Sequence, residues 1–405
     1  MKKALIIATI GGFLPVSEIN NAILLQELGF EVHYAANMTN RIYEFEEQEL
    51  IDKGIKLHHV EFSKNPFDMI KLAKCIKNVK KIIEDEQIQV VHCHTPVAGV
   101  AGRIAAHFSK IVFSNNRNDQ IKTKVSKKCR PYVIYTAHGF HFYKGAPVFN
   151  WICYYPVEYL LSAWTDCLIT INQEDEKRAK KMRCKRCVKI PGVGIDLNRF
   201  SPVKNTQQIR SESKDREWIQ QKKTNLENME IEKFHIISVG ELNKNKNHRI
   251  VIEAMALLKD KTITYEIYGN GNGKHQLETY IRFSGLESQV HLRGFDMEIE
   301  KQLQQADCCI FPSFREGLGL AALEAMACKV PLIVSDNRGV REFAEHNKNC
   351  IVCNPNNAKE FAQAIYRIKT DKAFADRLTV HAYETVQRFS IEESTKVMRM
   401  VYEKL

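Results

Sequence analysis

The sequence contains no apolar run that approaches the roughly 18 to 20 residues of a membrane-spanning helix, so no such span is expected. It has no low-complexity tract and no self-similarity at solenoid periods, which excludes fibrous and repeat architectures. A secretion signal is not expected either. The opening MKKALIIATIGGFLP pairs two lysines with a short apolar stretch but lacks a small-x-small cleavage pattern. It runs directly into strand, turn and helix patterns, as the first β-strand of a cytoplasmic protein would. Twelve cysteines do not form a disulfide framework. Cys93, Cys167, Cys308 and Cys309 sit inside apolar, strand-like runs, where a free thiol behaves as a small hydrophobe and a reducing compartment is implied. The Cys-x-x-Cys pairs Cys184/Cys187 and Cys350/Cys353 are not joined by any ribbon-type spacing, so zinc is not expected.

What is present describes a large globular protein. At 405 residues the chain exceeds what one core usually serves, and two domains are expected. Short β-branched runs alternate with longer helical patterns, the signature of parallel sheets covered on both faces. The strands read ALIIATI (4–10), EVHYAAN (31–37), KLHHVEF (56–62), VVHCHT (90–95), VIYTAHG (133–139) and CLITIN (167–172) in the first half. In the second half they read HIISVG (235–240), TYEIYG (264–269), VHLRGF (290–295), CCIFPS (308–313), PLIVSD (331–336) and CIVCN (350–354). Between the halves, KIPGVGIDLNRFSP carries two glycines and two prolines and leads into a polar segment, 204–233, expected to connect the domains and continue as a surface helix. The fold class is therefore α/β, with two doubly wound, Rossmann-like domains facing across a cleft, the boundary falling at 192/193.

Such sheets bind ligands beyond the carboxyl ends of their strands. FPSFREGLGLAALEAMA places Glu316 and Glu324 eight apart around Gly317, Leu318 and Gly319. The glycines allow close backbone approach, and the free N–H groups of the helix that starts near Leu320 favour a phosphate. Glu324, in the first or second turn, can accept two vicinal hydroxyls such as those of a ribose, and Glu316 lies nearer the phosphates. Gly240 opens a second such loop, VGELNKNKNH, in which Lys246 can neutralise a diphosphate. Gly269 and Asn270 open a third, and Arg293, Gly294 and Phe295 end the next strand. In the first half, Gly12 follows the first strand, and His138 and His141 flank Gly139 just beyond another. A histidine there can hydrogen-bond a sugar hydroxyl or balance developing charge. His92 and His94 alternate along VVHCHT, with no third metal ligand at suitable spacing.

Taken together, the Glu316/Glu324 spacing, GELNKNKNH, PGVGIDLNRF and TAHGFHF resemble the retaining glycosyltransferases of family 4, of GT-B fold, over nearly the whole chain. The TAHGFHFYKGAP form is similar to bacterial enzymes of capsule, exopolysaccharide or lipid-linked glycan synthesis. The resemblance implies that residues 388–405 form a helix that crosses back to the N-terminal, acceptor-side domain (1–192), and that 193–387 bind the nucleotide sugar. It implies that Glu324 holds the ribose, Glu316 the donor sugar's hydroxyls and Lys246 the diphosphate, with His138 beside the sugar and Gly12 near the phosphates. The family often has arginine where this chain has Glu241. The donor expected from family habit is a UDP-hexose or UDP-N-acetylhexosamine. The leaving diphosphate then serves as base on the face it departs from. No Asp-x-Asp occurs, so no cofactor and no obligatory metal are expected. Two rivals remain at this point: a nucleotide-sugar epimerase of the same fold, and a non-catalytic partner of another transferase.

The net charge of +11 is unevenly placed. Residues 71–81 carry +5, 116–130 carry +5 and 177–187 carry +7, so the remainder is net acidic. Leu72, Ile76, Val79 and Ile83 follow helical spacing, with Lys71, Lys74, Lys77 and Lys81 on another face, as in an amphipathic helix packed on the sheet. The charged face is expected to dock on an anionic membrane, on the inner side of the plasma membrane, to reach a glycan or polyprenyl-diphosphate-linked acceptor. Nucleic acid is not expected as a partner, because no aromatic residues interleave these charges for base stacking.

Overall fold

The computed structural model describes residues 1–39, 45–63, 65, 68–112, 128–202 and 233–405. The chain divides into two compact units, Met1–Gly194 with Ile391–Leu405, and Ile195–Ser390.

The first unit is built on a seven-stranded parallel sheet. In chain order the strands are β1 (Lys2–Ile10), β2 (Phe30–Asn37), β3 (Lys56–His59), β4 (Val90–His94), β5 (Ile111–Val112), β6 (Lys128–Cys129), β7 (Tyr132–Ala137), β8 (Cys167–Thr170) and β9 (Arg186–Lys189). β5 and β6 pair with each other as a small antiparallel ladder, and the remaining seven are ordered β3-β2-β1-β4-β7-β8-β9. Ala4 to Ala8 of β1 are almost completely buried, as expected of a central parallel strand covered on both faces. Strand order reverses between β1 and β4, so the connections after them lead to opposite faces of the sheet and their loops flank one crevice.

The second unit holds β10 (Phe234–Val239), β11 (Ile263–Tyr268), β12 (Val290–Gly294), β13 (Cys308–Phe311), β14 (Leu332–Ser335) and β15 (Ile351–Cys353). They form a parallel sheet of order β12-β11-β10-β13-β14-β15, with its reversal between β10 and β13. The loop after β10 therefore meets the loop after β13.

All twelve strands read from the sequence are present, several of them shorter. KLHHVEF is strand only from Lys56 to His59, at the sheet's edge. β9 was not anticipated, because Arg-Cys-Val-Lys at the opposite edge needs no continuous apolar run. The β5/β6 ladder was not anticipated either. Most of 116–130 and nearly all of 204–233 lie outside the described residues. The helix Met69–Asp85 buries Cys75, Val79 and Ile83, with Leu72 and Ile76 packed beside them, and exposes Lys71, Lys74, Lys77 and Lys81. All twelve cysteines are free thiols. Among the described residues, neither Cys-x-x-Cys pair joins a cluster of metal-ligand type.

Helix Ile391–Tyr402 belongs to the first unit. Its Ser394 hydroxyl donates to the Gly192 carbonyl (2.6 Å), Arg399 pairs with Glu27 (2.5 Å), and the Tyr402 phenol meets His92 Nδ1 (2.8 Å) in the interior.

A second interior contact is a buried ion pair. Arg103 is fully buried in helix Pro96–Phe108, pairs with Glu158 at 2.8 Å, donates to the Gly99 carbonyl, and lies 4.0 Å over the Tyr135 ring. Removing one partner leaves an uncompensated interior charge. Glu158→Ala should cost on the order of 3 to 5 kcal/mol in urea unfolding followed by tryptophan fluorescence, whereas the apolar pair Arg103→Met with Glu158→Leu should recover most of that loss.

Candidate functional site

In the second unit, the reversal between β10 and β13 brings the two loops singled out by sequence into contact. Lys246 Nζ lies 2.8 Å from Glu316 Oε1 and 5.1 Å over the Phe311 ring, and its stem runs along Gly240. The asparagines of the Lys246 turn hold this junction together. Asn245 Nδ2 donates to the Arg315 carbonyl (2.9 Å), its own carbonyl accepts from Phe314 N (2.8 Å), and Asn247 Nδ2 donates to the carbonyls of Pro312 and Pro355. Nothing in the sequence pattern points to these asparagines as the braces between the two loops.

The helix Leu320–Ala327 starts at Gly319, whose φ of 102° lies in the left-handed region that favours glycine. Ahead of it, the backbone of 316–318 presses against Gly339. A Cβ at Gly339 would sit 2.8 Å from Leu318 N and 2.9 Å from the Glu316 carbonyl. Buried Asn337 anchors the same loop, donating to the Ser313 carbonyl and accepting from Gly339 N and Val340 N. Arg338 Nε lies 3.4 Å from the Glu316 carbonyl, which adds a cation beside the loop that the sequence had not pointed to. Glu241 is exposed.

The loops after β11 and β12 complete this layer through backbone contacts. Gly240 N donates to the Tyr268 carbonyl, Leu242 N to that of Asn270, and Gly269 N to that of Gly294 (2.7 Å). Two of the named side chains stand apart. Arg293 is drawn to Glu266 (Nε to Oε1, 2.9 Å), and Phe295 is exposed.

Glu324, one turn into the helix, is half-buried. Burial of its carboxyl raises its pKa to about 7, with Glu300 adding repulsion and Arg199 and Lys246 opposing the rise. A carboxyl with this shift changes its charge readily when it meets donors.

In the first unit, the reversal between β1 and β4 gathers a different set. Gly12 is buried in the loop after β1, which continues as a π-helical turn, Leu14–Glu18. That turn carries Glu18 inward, 1% exposed, with Oε1 3.5 Å from His94 Nδ1 and 3.4 Å from His138 Nε2. The two histidines face each other at 3.1 Å, and the Phe13 ring packs against both. Sequence spacing supplied no third ligand for His92 and His94; the fold supplies Glu18, to His94 and His138. His92 is turned away, held between Tyr402 and Thr136 Oγ1 (2.8 Å each).

The Glu18, His94 and His138 ligand atoms all lie within 4.8 Å of one another, close enough to hold a metal ion. A second such group is His33, His58 and Glu86, but there Lys3 already neutralises Glu86 (3.0 Å). Burial raises the Glu18 pKa to about 8, against a hydrogen bond from Asn21, lowers that of His138 to about 4, and pushes His94 well below its usual value. The group is thus a protonated carboxyl among neutral imidazoles, suited to hydrogen-bonding uncharged hydroxyls. His138 lines a cavity of about 230 Å3 with Phe13, Thr95, Phe142, Tyr154 and Glu158.

The pH dependence of Glu324 gives a direct test. Its folded pKa of about 7 lies above the unfolded value of 4.5, so its contribution to stability is complete at low pH and is lost as pH rises from 4.5 through 7. The melting temperature of Glu324→Gln should therefore exceed that of the parent by a margin that widens from pH 5 to pH 7 and then levels off.

Comparisons with known proteins bear on both units. Residues 20–199 match the family described as Glycosyltransferase Family 4, and residues 219–385 match Glycosyl transferases group 1. The chain is 34% identical to a glycosyltransferase named EpsD from Bacillus subtilis (strain 168), covering 99% of this chain and 96% of that one. It is 24% identical to the UDP-Gal:alpha-D-GlcNAc-diphosphoundecaprenol alpha-1,3-galactosyltransferase of Escherichia coli, over 80% of this chain and 77% of that one. Among solved structures, Anabaena Alr3699/HepE in complex with UDP and glucose superposes over the full length of both chains with a TM-score of 0.76 at 17% identity.

Proposed function

The chain belongs to glycosyltransferase family 4 and has the GT-B fold, and from that premise we propose that it transfers a hexose or N-acetylhexosamine from a UDP-linked donor to a lipid-linked glycan acceptor, with retention at the anomeric carbon, in bacterial surface-polysaccharide synthesis. The observation that carries this reading is the Lys246–Glu316 pair at the head of a helix that holds Glu324 one turn further on. The relatives support the donor and acceptor classes: the Escherichia coli enzyme is named for UDP-galactose and a diphosphoundecaprenol acceptor, and HepE was solved with UDP.

Each residue then has a task. Glu324 accepts hydrogen bonds from the ribose hydroxyls, and the donor's arrival favours its ionised form. Lys246 moves from Glu316 to the diphosphate, aided by the N–H groups at Gly317 to Gly319 and by Arg338. Glu316, released, takes up the donor sugar's hydroxyls. His138, kept neutral by burial, hydrogen-bonds a sugar hydroxyl at the reacting end. The departing diphosphate accepts the acceptor's proton on the face it leaves, and the oxocarbenium-like transition state is stabilised by fixed dipoles rather than by a second carboxylate. These cations do the work that a metal would otherwise do on the diphosphate, so no metal is required. The exposed lysines of helix Met69–Asp85 serve docking at an anionic membrane face, and no helix among the described residues is long and apolar enough to cross one.

Two measurements test this. Lys246→Ala should weaken UDP binding strongly in calorimetry while Glu241→Arg is tolerated. Glu316→Gln and His138→Ala should lower kcat far more than they weaken UDP binding, since each acts on the sugar. Equal losses in turnover and UDP affinity would make these residues nucleotide holders only. Conversion of the donor to a new nucleotide sugar without acceptor would replace the transferase reading with an epimerase.

A further inference from the structure

The most basic stretch of the chain, 177–187, has no part in the donor site, yet it lines a second cavity of about 440 Å3 in the first unit. Lys144, Lys177, Arg178 and Lys181 surround this space with one acid, Glu174, and Trp151 and Tyr155 form its aromatic wall. Glu174 is already engaged: its Oε1 accepts from Lys144 N (2.8 Å) and from Arg178 Nη2 (2.6 Å). The Lys144, Lys177 and Lys181 ammonium groups have no ion pair among the described residues. Lys177 and Lys181 stand four residues apart, a spacing at which like charges repel unless an anion joins them. Arg178 stacks 4.7 Å over Trp151, with its Nε buried and without a hydrogen-bond partner.

The aromatic wall belongs to helix Val148–Ser162, whose outward side carries no charge. Val148 is 73% exposed, Ile152 68%, Leu160 60% and Phe149 56%. At about 100° per residue these four fall within an arc of about 120°, and Trp151 and Tyr155 border it directly. A cationic, aromatic-walled cavity thus adjoins an exposed apolar stripe, a pairing that complements an amphiphile with a highly charged anionic head. Buried Phe142 separates this cavity from the one that holds His138. Phe142 lines the His138 cavity, and its ring lies 5.8 Å from that of Trp151 and 5.2 Å from that of Tyr155.

We propose that this cavity binds the diphosphate of a polyprenyl-diphosphate-linked acceptor, with the stripe Val148–Leu160 seated in the lipid. The proposal rests on the reading that the acceptor is lipid-linked, and adds where its diphosphate is held. Lys177, Lys181 and Arg178 supply charge-assisted hydrogen bonds to the phosphate oxygens.

The test is co-sedimentation of the full chain with phosphatidylcholine vesicles containing either undecaprenyl diphosphate or phosphatidylglycerol at equal total charge. At least tenfold tighter binding to the diphosphate vesicles is expected. That preference should disappear in Lys177→Gln/Lys181→Gln, with the melting temperature and UDP affinity unchanged. Ile152→Asp should weaken binding to both vesicle types. Equal binding to the two vesicle types, or a preference that survives the double substitution, would overturn the site and leave only general adsorption to anionic surfaces. Hydrolysis of the UDP-sugar donor without acceptor measures the broader reading separately. Hydrolysis without vesicle preference removes the cavity assignment alone, and preference without hydrolysis counts against the UDP-sugar transferase reading while the diphosphate site stands.

Discussion

A parallel strand buried on both faces has nowhere along its length to place a polar side chain without a partner, and this constraint organises both units. The central strands β1 and β13 are almost wholly apolar inside, so functional groups concentrate where the strands end. Each sheet then reverses its strand order once, between β1 and β4 and between β10 and β13. Loops that are distant in sequence meet at those reversals. Lys246 reaches Glu316 across 70 residues because β10 and β13 are neighbours, and Glu18 reaches His138 across 120 because only β4 separates β1 from β7.

Burial acts in opposite directions on the charged groups so assembled. Arg103 and Glu158 are enclosed together and remain an ion pair, which locks one helix against another. Glu18 is enclosed without a cation and is held protonated, while its histidine neighbours are held neutral. Glu324 lies between these cases, poised near neutrality, so its charge state responds to whatever occupies the helix start. One low-dielectric interior thus yields a rigid contact, a neutral hydrogen-bonding group and a responsive carboxyl. Only the local supply of partners differs.

Much of this was legible before the fold was known. Apolar runs marked the strands, Glu316 and Glu324 stood out as two carboxylates eight apart around Gly-Leu-Gly in an apolar neighbourhood, and Lys246 as a cation in the loop after HIISVG. The acidic member of the histidine cluster was not legible. Glu18 sits in Leu-Pro-Val-Ser-Glu, an ordinary helix entry by composition, and only the π-helical turn and the β1/β4 neighbourhood aim it at His94 and His138. Asn337 and Arg338 escaped for a similar reason, since their role is to brace a loop that follows a different strand. Edge strand β9 was hidden by its charges, which an edge tolerates and a central strand would not.

The return of helix Ile391–Tyr402 to the first unit has a consequence for biogenesis. During synthesis, residues 1–194 emerge first, yet the Tyr402 phenol that closes over His92, and the apolar face carrying Met398 and Val401, follow only after the whole second unit has left the ribosome. The first unit must therefore wait with an open apolar seam while the second, contiguous in sequence, is free to fold as it emerges. The unit that emerges first is thus the last to be completed, and its seam stays open to chaperones until the final helix arrives.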